Sequence, residues 1–388
     1  MTGLEEQVSL IVALLAAALI VSAIADRIGV PYVVALLIVA TPIDFASNNS
    51  FAPALLFVFL PALIFEAAWS IDATALKRRW LLVAILAVPG VLLTAGLVGA
   101  GLAVSRQMPF LSALLLGTIL AATDPIAVIA VFRRLRVPTD LAAIVEGESL
   151  FNDGAAIVLY GVVIDLLTGA HGVPTPLSLS WTAVSVSVGG ALIGLAAAAV
   201  VALVLRGNGS PQLQVVGTVV AAFGSYLIAD RLHLSGIFAA VVVGIAMRAF
   251  PRFPSSEAIV DVDSFWGVMA FLANALVFIL MGLRIEFARI THEPVLVAST
   301  LALVTIARLL LGYVALPLAG TKLAHGWRSV IALSGMRGAL SVALVIGLPA
   351  DIPFRPQLVD TVFGVVFITL VAQGLAIGPV IARLRLAE

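Results

Sequence analysis

Apolar runs of about twenty residues recur from one end of this chain to the other, separated by brief polar turns. Such runs restrict the fold severely. Hydrocarbon offers no water to satisfy backbone amides and carbonyls, so a chain of this kind must satisfy them within helices. Composition agrees: of 388 residues 62% are apolar and 11% charged, where a soluble domain has about 25% charged. An all-α membrane protein is therefore expected, with thirteen spans near 7–25, 30–45, 52–72, 80–104, 109–133, 140–168, 180–205, 212–230, 234–250, 264–283, 294–317, 327–348 and 358–382. The second is short. Turn residues such as Gly207-Asn208-Gly209-Ser210-Pro211 and Pro251, Pro254 and Ser255 separate them. The whole of 1–388 reads as one polytopic unit with no soluble domain and no low-complexity segment. Met1 to Gln7 is acidic through Glu5 and Glu6 and lacks the basic start of a cleaved signal, so the first run is expected to be retained. With no cysteine, disulfides and thiolate metal sites are excluded. The net charge of zero says nothing about partners; the lipid bilayer is the expected surrounding, and no nucleic acid is expected.

Lys and Arg in the loops set the orientation. With the N-terminus outside, the inner connections hold fourteen of them: Arg27, Lys77, Arg78, Arg79, Arg133, Arg134, Arg136, Arg206, Arg248, Arg252, Lys322, Arg328, Arg383 and Arg385. The outer connections hold five: Arg106, Arg231, Arg284, Arg289 and Arg355. The C-terminus is then cytoplasmic, which an odd number of spans requires. Arg308 and Arg337 fall inside spans.

Carboxylates in the middle of such runs are expensive and mark function by default. The stretch from Ala121 to Gly154 places Thr123-Asp124-Pro125 in span 5 and Ser149, Asn152 and Asp153 in span 6. Asp124 lies about 15 residues from the outer end of its span and Asp153 about 13 from the inner end of its own, so at 1.5 Å per residue both reach the bilayer centre. The two spans are antiparallel neighbours, and the acids can face each other. Ser149 and Asp153 are four apart and share a helix face, with Asn152 one position round. Glu148 points elsewhere. Pro125 lacks a backbone donor and frees carbonyls near Ala121; carbonyls and carboxylates are the hard oxygen ligands an alkali cation wants. Irregular backbone at this depth is tolerated only where it lines a cavity or is buried in protein.

Span 12 has a matching interruption, Ser334-Gly335-Met336-Arg337-Gly338. It follows span 5 by an odd number of spans, so the two broken segments run in opposite directions. That is the pattern of inverted repeats, spans 4–6 against 11–13, with the site where the broken helices cross. Glu66 in span 3 is a further intramembrane acid. Glu66, Asp124, Glu148 and Asp153 against Arg308 and Arg337 leave two negative charges uncompensated. Such charges are costly in a low dielectric, so the site must hold protons, a cation, or one in exchange for the other.

Several motifs together resemble a known family. They are Leu60-Pro61-Ala62-Leu63-Ile64-Phe65-Glu66, Thr123-Asp124-Pro125, Glu146-Gly147-Glu148-Ser149-Leu150-Phe151-Asn152-Asp153, Phe278-Ile279-Leu280-Met281-Gly282 and Gly335-Met336-Arg337-Gly338-Ala339-Leu340-Ser341. In order and spacing they are similar to the monovalent cation:proton antiporter family of the NhaP and sodium/proton exchanger type. The resemblance implies a homodimer, in which core helices (79–170 and 291–388) move against dimerisation helices (1–78 and 206–290), joined by a linking span (171–205). It implies Asp153 as the main carboxylate for cation and proton, with Asp124, Glu66, Ser149 and the Thr123 carbonyl completing the Na⁺ shell. Asn152 stands where the electrogenic branch has an acid, which implies electroneutral exchange. Glu148 with Arg337 would be a buried structural ion pair. Gly154 departs from the alanine common after the aspartate, and no long cytoplasmic tail follows span 13.

The functional expectation is a secondary antiporter exchanging Na⁺, with Li⁺ and K⁺ as alternatives, for H⁺, in a prokaryotic inner membrane, with no cofactor. It is not expected to be an enzyme. Plainer readings stand beside it. Arg308 is an alternative partner for Glu148, Asn274 reads as a helix–helix hydrogen bond, and Asp165 as a wet helix end. His171, His233, His292 and His325 read as solvated, and Glu257, Asp261 and Asp263 as a solvated loop cluster. A Gly-x-Gly-Asp protease signature, a His-Glu-x-x-His zinc site (His292-Glu293 is followed by Pro294) and a G-x-x-x-x-G-K-S/T loop are all missing from the sequence. A cation channel using the same acids as a selectivity ring is the rival; it would pass cations without moving protons.

Overall fold

The apolar runs fold as helices in a computed structural model that describes residues 2–41, 51–169, 176–205, 210–250, 256–284, 293–321 and 323–386. Numbered in chain order they are α1 (Thr2–Ile28), α2 (Tyr32–Ala40), α3 (Phe51–Ser70), α4 (Ala73–Val104), α5 (Phe110–Ile119), α6 (Ile126–Leu135), α7 (Thr139–Thr168), α8 (Pro176–Val204), α9 (Pro211–Arg231), α10 (Gly236–Ala249), α11 (Ser256–Arg284), α12 (Pro294–Leu310), α13 (His325–Leu333), α14 (Ala339–Ile346) and α15 (Arg355–Arg383). α12 runs on through a π-turn, Leu311–Ala315, into one last turn at Leu316–Leu318. Among the described residues there is no strand. The turns at 207–209 and 251–255, with His171 and His292, lie outside the described residues.

Among the described residues, eight helices are long and apolar enough to cross a membrane: α1, α4, α7, α8, α9, α11, α12 with its extension, and α15. Span 3 is the twenty-residue α3, and four other expected spans are made of shorter pieces. Span 2 is the nine-residue α2, span 9 the fourteen-residue α10, and spans 5 and 12 are each split in two. Hydropathy averages over such breaks, so it sees a single run where the backbone has stopped and restarted. Large apolar side chains point outward along α1 (Leu19, Ile20, Ile28), α8 (Trp181, Leu192, Leu203) and α9 (Val216, Val220). In water these faces would drive aggregation; in a bilayer they are the lipid-facing surface.

Helix ends follow local chemistry. The Asp72 carboxylate accepts from the amides of Thr74 and Ala75 at 2.8 and 2.9 Å and starts α4. Ser210 caps α9 ahead of Pro211, and Ser235 caps α10. α7 ends at Gly169 with φ +69°, a conformation that suits glycine.

Two groups of helices pack around separate apolar interiors. α4 lies against α5, α7 and α12, and with α6, α14 and α15 encloses a core that includes Leu86, Leu102, Leu116, Val145 and Val366. α10 lies against α3, α8 and α9 around Phe65, Trp69, Met247 and Trp266. α11 touches α2, α3, α9 and α14, so it borders both groups. α8 joins the second through Gly190 and Gly194. A Cβ on Gly190 would strike the Ser235 carbonyl, and one on Gly194 the Ala239 carbonyl. The backbones come close enough for the Ser235 amide to donate to the Val186 carbonyl at 3.1 Å. This is the small-x-x-x-small packing that lets membrane helices associate by contact alone.

Gly190→Ala forces these two backbones apart and is expected to lower stability by about 1–3 kcal/mol, read as a fall in the unfolding temperature of the detergent-purified protein. Gly161→Ala on α7, where an added Cβ meets nothing within 4 Å, leaves that temperature unchanged.

Candidate cation site at the helix crossing

α5 stops at Ile119 and α6 starts at Ile126; α13 stops at Leu333 and α14 starts at Ala339. The two non-helical stretches lie across one another. The Asp124 amide donates to the Met336 carbonyl at 2.8 Å, and the Ser341 hydroxyl donates to the Ile119 carbonyl at 2.8 Å. Each break exposes a helix C-terminus with unpaired carbonyls and a helix N-terminus with unpaired amides, carrying opposite partial charges.

Three side chains neutralise the four ends. The Asp124 carboxylate accepts from the Ile126 amide at 3.0 Å and from the Ala339 amide at 3.5 Å, serving both N-termini at once. Arg337 donates to the Ala121 and Ala122 carbonyls, at 2.9 and 3.3 Å, beyond the end of α5. Arg308 reaches from α12 and donates to the Ile331 carbonyl in the last turn of α13 at 2.7 Å. The crossing has no spare volume: a Cβ on Gly338 would overlap the Asp124 carboxylate, and one on Gly335 the Arg308 guanidinium.

The expected pairing of Glu148 with Arg337 is not what forms. Glu148 pairs with Arg308, both carboxylate oxygens accepting, one of them from Nη2 at 3.2 Å. The reason is local. Carbonyls left free beyond α5 hold the Arg337 guanidinium, while Arg308 lies where the carboxylate and the end of α13 can be bridged together. Arg337 remains within electrostatic range of Glu148 and Asp153, and its Nε and Nη2 meet no acceptor among the described residues.

A cavity of about 270 Å³ opens onto the crossing. Thr123, Asp124, Ser149 and Asp153 line one part of it, and Tyr32, Glu66 and Asn274 come from α2, α3 and α11. Ser70, Arg133 and Glu146 also line it. Glu146, Ser149, Leu150 and Asp153 recur at the spacing of one helix face, so α7 presents a single stripe to this space. The Ser149 hydroxyl donates to the Thr123 carbonyl. The Thr123 amide lies near the Asp153 carboxylate, whose Oδ1 is buried with no hydrogen-bond partner among the described residues. Glu66 accepts from the Ser70 hydroxyl at 3.0 Å.

Of the expected ligands, Asp153, Asp124, Glu66, Ser149 and Thr123 are brought together at this cavity. Asn152 is not among its lining. One position round the helix from Asp153, it lies behind Thr123 and donates to that hydroxyl at 2.7 Å, so it holds the unwound segment rather than facing the cavity. Glu146 was legible as part of the α7 stripe but was not singled out. Tyr32 carries no signal in sequence, because only the fold brings α2 beside the crossing. The small residue at Gly154 has a cause: the Phe238 ring occupies the place of its Cβ, at 2.7 Å. Asp263 is no free loop acid, since it accepts from Trp69 at 2.6 Å and pairs with Arg248 at 2.8 Å.

Crossed interrupted helices meeting at buried carboxylates, beside a cavity within an apolar helical bundle, define a membrane-embedded secondary transporter. The family model described as sodium/hydrogen exchanger, transmembrane, matches residues 12–383, and the chain belongs to that family. Among its relatives, the Na(+)/H(+) antiporter ApNhaP of Aphanothece halophytica is 33% identical over 371 residues, covering 92% of this chain and 70% of that one. The Na(+)/H(+) antiporter NhaH of Halobacillus aidingensis is 31% identical over 414 residues, covering 100% of each. The solved structure of the sodium proton antiporter MjNhaP1 from Methanocaldococcus jannaschii at pH 8 has the same fold, with a TM-score of 0.79 at 21% identity over 99% of this chain and 100% of that one.

Removing one partner of the Glu148–Arg308 pair strands a buried charge. Glu148→Ala or Arg308→Ala is expected to cost about 3–5 kcal/mol, whereas the double change Glu148→Leu with Arg308→Met costs less than the sum of the two. Thermal unfolding of the purified variants measures both.

Proposed function

We propose that this chain exchanges Na⁺ for H⁺ across a membrane, with cation and proton competing for Asp153 and Asp124. The observation that carries the reading is the Asp153 carboxylate, half-buried with its Oδ1 inaccessible, lining a cavity together with a second acid, Asp124, and with Ser149 and Thr123. These are hard oxygen donors suited to an alkali cation. Either Na⁺ or H⁺ removes the cost of a bare carboxylate in a low dielectric; both together are not needed. Occupancy by one therefore expels the other, and that exclusion is the coupling.

Asp153, Asp124, Ser149, the Thr123 carbonyl and Glu66 form the Na⁺ shell in this reading. Asn152, neutral and bound to Thr123, adds no second proton carrier on α7, so the exchange is electroneutral. Transport proceeds by alternating access, the helices of 79–170 and 291–388 shifting against those of 1–78 and 206–290 while 171–205 links them. The small-residue packing of α8 against α10 suits a fixed support. The protein works as a homodimer in a prokaryotic inner membrane, N-terminus outside. In that orientation Arg133 and Glu146 lie toward the cytoplasm from Asp153, so the cavity opens inward.

Competition fixes the sign of the pH dependence. As pH falls, protons fill the acids and the apparent KM for Na⁺ rises; as pH rises, it falls to a plateau. In proteoliposomes, Asp153→Asn and Asp124→Asn abolish Na⁺-driven proton movement, and activity at the wild-type level in either refutes the assignment. An imposed membrane potential without an ion gradient drives no exchange; charge movement with each cycle would remove electroneutrality and leave antiport standing. Sodium flux without proton flux would favour the channel instead. Li⁺ and K⁺ offered in turn establish the preference.

A further inference from the structure

Asn274 is a polar group at this cavity that the exchange mechanism above leaves unused. It sits on α11 at 4% exposure, beyond the two broken helices and α7 that carry the aspartates. Tyr32, at the start of α2, lies beside its side chain. The Tyr32 ring packs against Phe271, one turn earlier on α11, with centroids 5.2 Å apart. The Asn274 carbonyl oxygen, Oδ1, is buried and has no hydrogen-bond partner among the described residues, although Asn274 lines the same cavity as Asp124 and Asp153. An asparagine whose role was to hold helices together would have both ends satisfied. Here the acceptor end is unpaired, in a residue that lines the cavity.

We infer that Asn274, beside Tyr32 at the cavity, supplies a neutral oxygen ligand to the transported cation and so sets how well that cation competes with protons. The inference rests on the antiport reading above. Every carboxylate facing this cavity (Asp124, Asp153, Glu66 and Glu146) binds H⁺ as well as Na⁺, and Arg133 repels both. An amide carbonyl differs in kind. It coordinates alkali cations as a hard oxygen donor but does not take up a proton in the working pH range. It therefore strengthens Na⁺ binding and leaves proton binding unchanged. The donors at Thr123 and Ser149 come from the unwound segment and α7; Asn274 adds one from α11.

The test is Na⁺-driven proton movement in proteoliposomes across a pH series, for wild type, Asn274→Ala, Asn274→Gln and Tyr32→Phe. Asn274→Ala is expected to raise the KM for Na⁺ about tenfold at every pH, with the pH at which KM begins to climb unmoved and the maximal rate kept within about twofold. Asn274→Gln, which restores a carbonyl, recovers part of the affinity, and Tyr32→Phe gives a smaller rise in the same direction. The same purified proteins are melted with and without Na⁺. Asn274→Ala should melt at the wild-type temperature without Na⁺ and gain less from its addition. An unchanged KM overturns the assignment. So does a KM rise accompanied by a shifted pH dependence, which would mean that Asn274 acts through the carboxylates. A lower melting temperature with an unaltered gain from Na⁺ reduces Asn274 to a packing role and overturns it as well. Failure of the wild type to couple Na⁺ to protons removes the antiport reading and this one with it, whereas a coupled wild type with an indifferent Asn274→Ala removes this one alone.

Discussion

The controlling constraint is that helix ends buried in a membrane must be neutralised. A continuous span hides its polar backbone, but two spans here stop midway and expose four ends at one place. Water is not there to serve them, so charged side chains must. Asp124 meets the two N-termini, Arg337 the carbonyls beyond α5, and Arg308 those at the end of α13. The crossing exists because these charges exist. Glycine at 335 and 338 then follows, since the neutralising groups occupy the space any side chain would need.

This arrangement divides the buried charges into two kinds. Arg308, Arg337 and Glu148 are engaged with one another or with backbone, and their removal damages the scaffold. Asp153 is engaged weakly: the Thr123 amide lies near it, and its Oδ1 has no hydrogen-bond partner among the described residues. Asp124 stands between, because it caps two helices yet lines the cavity. A carboxylate bound to amides alone still carries its full negative charge. The pair Asp124 and Asp153 is thus where an exchangeable positive charge has most to gain, and family membership gives that charge its chemistry.

Much of this was legible in the residues themselves. The helical class followed from the apolar runs, and the breaks from Pro125 and from Gly335 and Gly338. The α7 stripe followed from the spacing of Ser149 and Asp153. What could not be read was pairing across distant elements. Arg308 and Arg337 are both single arginines inside apolar runs, and nothing in their neighbours says which one reaches Glu148; the answer lies in where free carbonyls stand after the helices cross. Asn152, one position round from Asp153, meets the hydroxyl of Thr123, and only the fold shows that partner. Tyr32 and Asn274 lie 242 positions apart and meet only in the fold. The number of long spans was also blurred, because hydropathy does not see a helix that unwinds inside an apolar run.

The central claim is that Na⁺ and H⁺ occupy the same buried carboxylates in turn, and calorimetry tests it most directly. Na⁺ binding to the purified protein would be titrated at one pH in several buffers of different ionisation enthalpy. If the claim holds, the heat varies linearly with buffer enthalpy, with a slope close to one proton released for each cation bound, and the slope vanishes in Asp153→Asn. Sodium binding whose heat is the same in every buffer would contradict it.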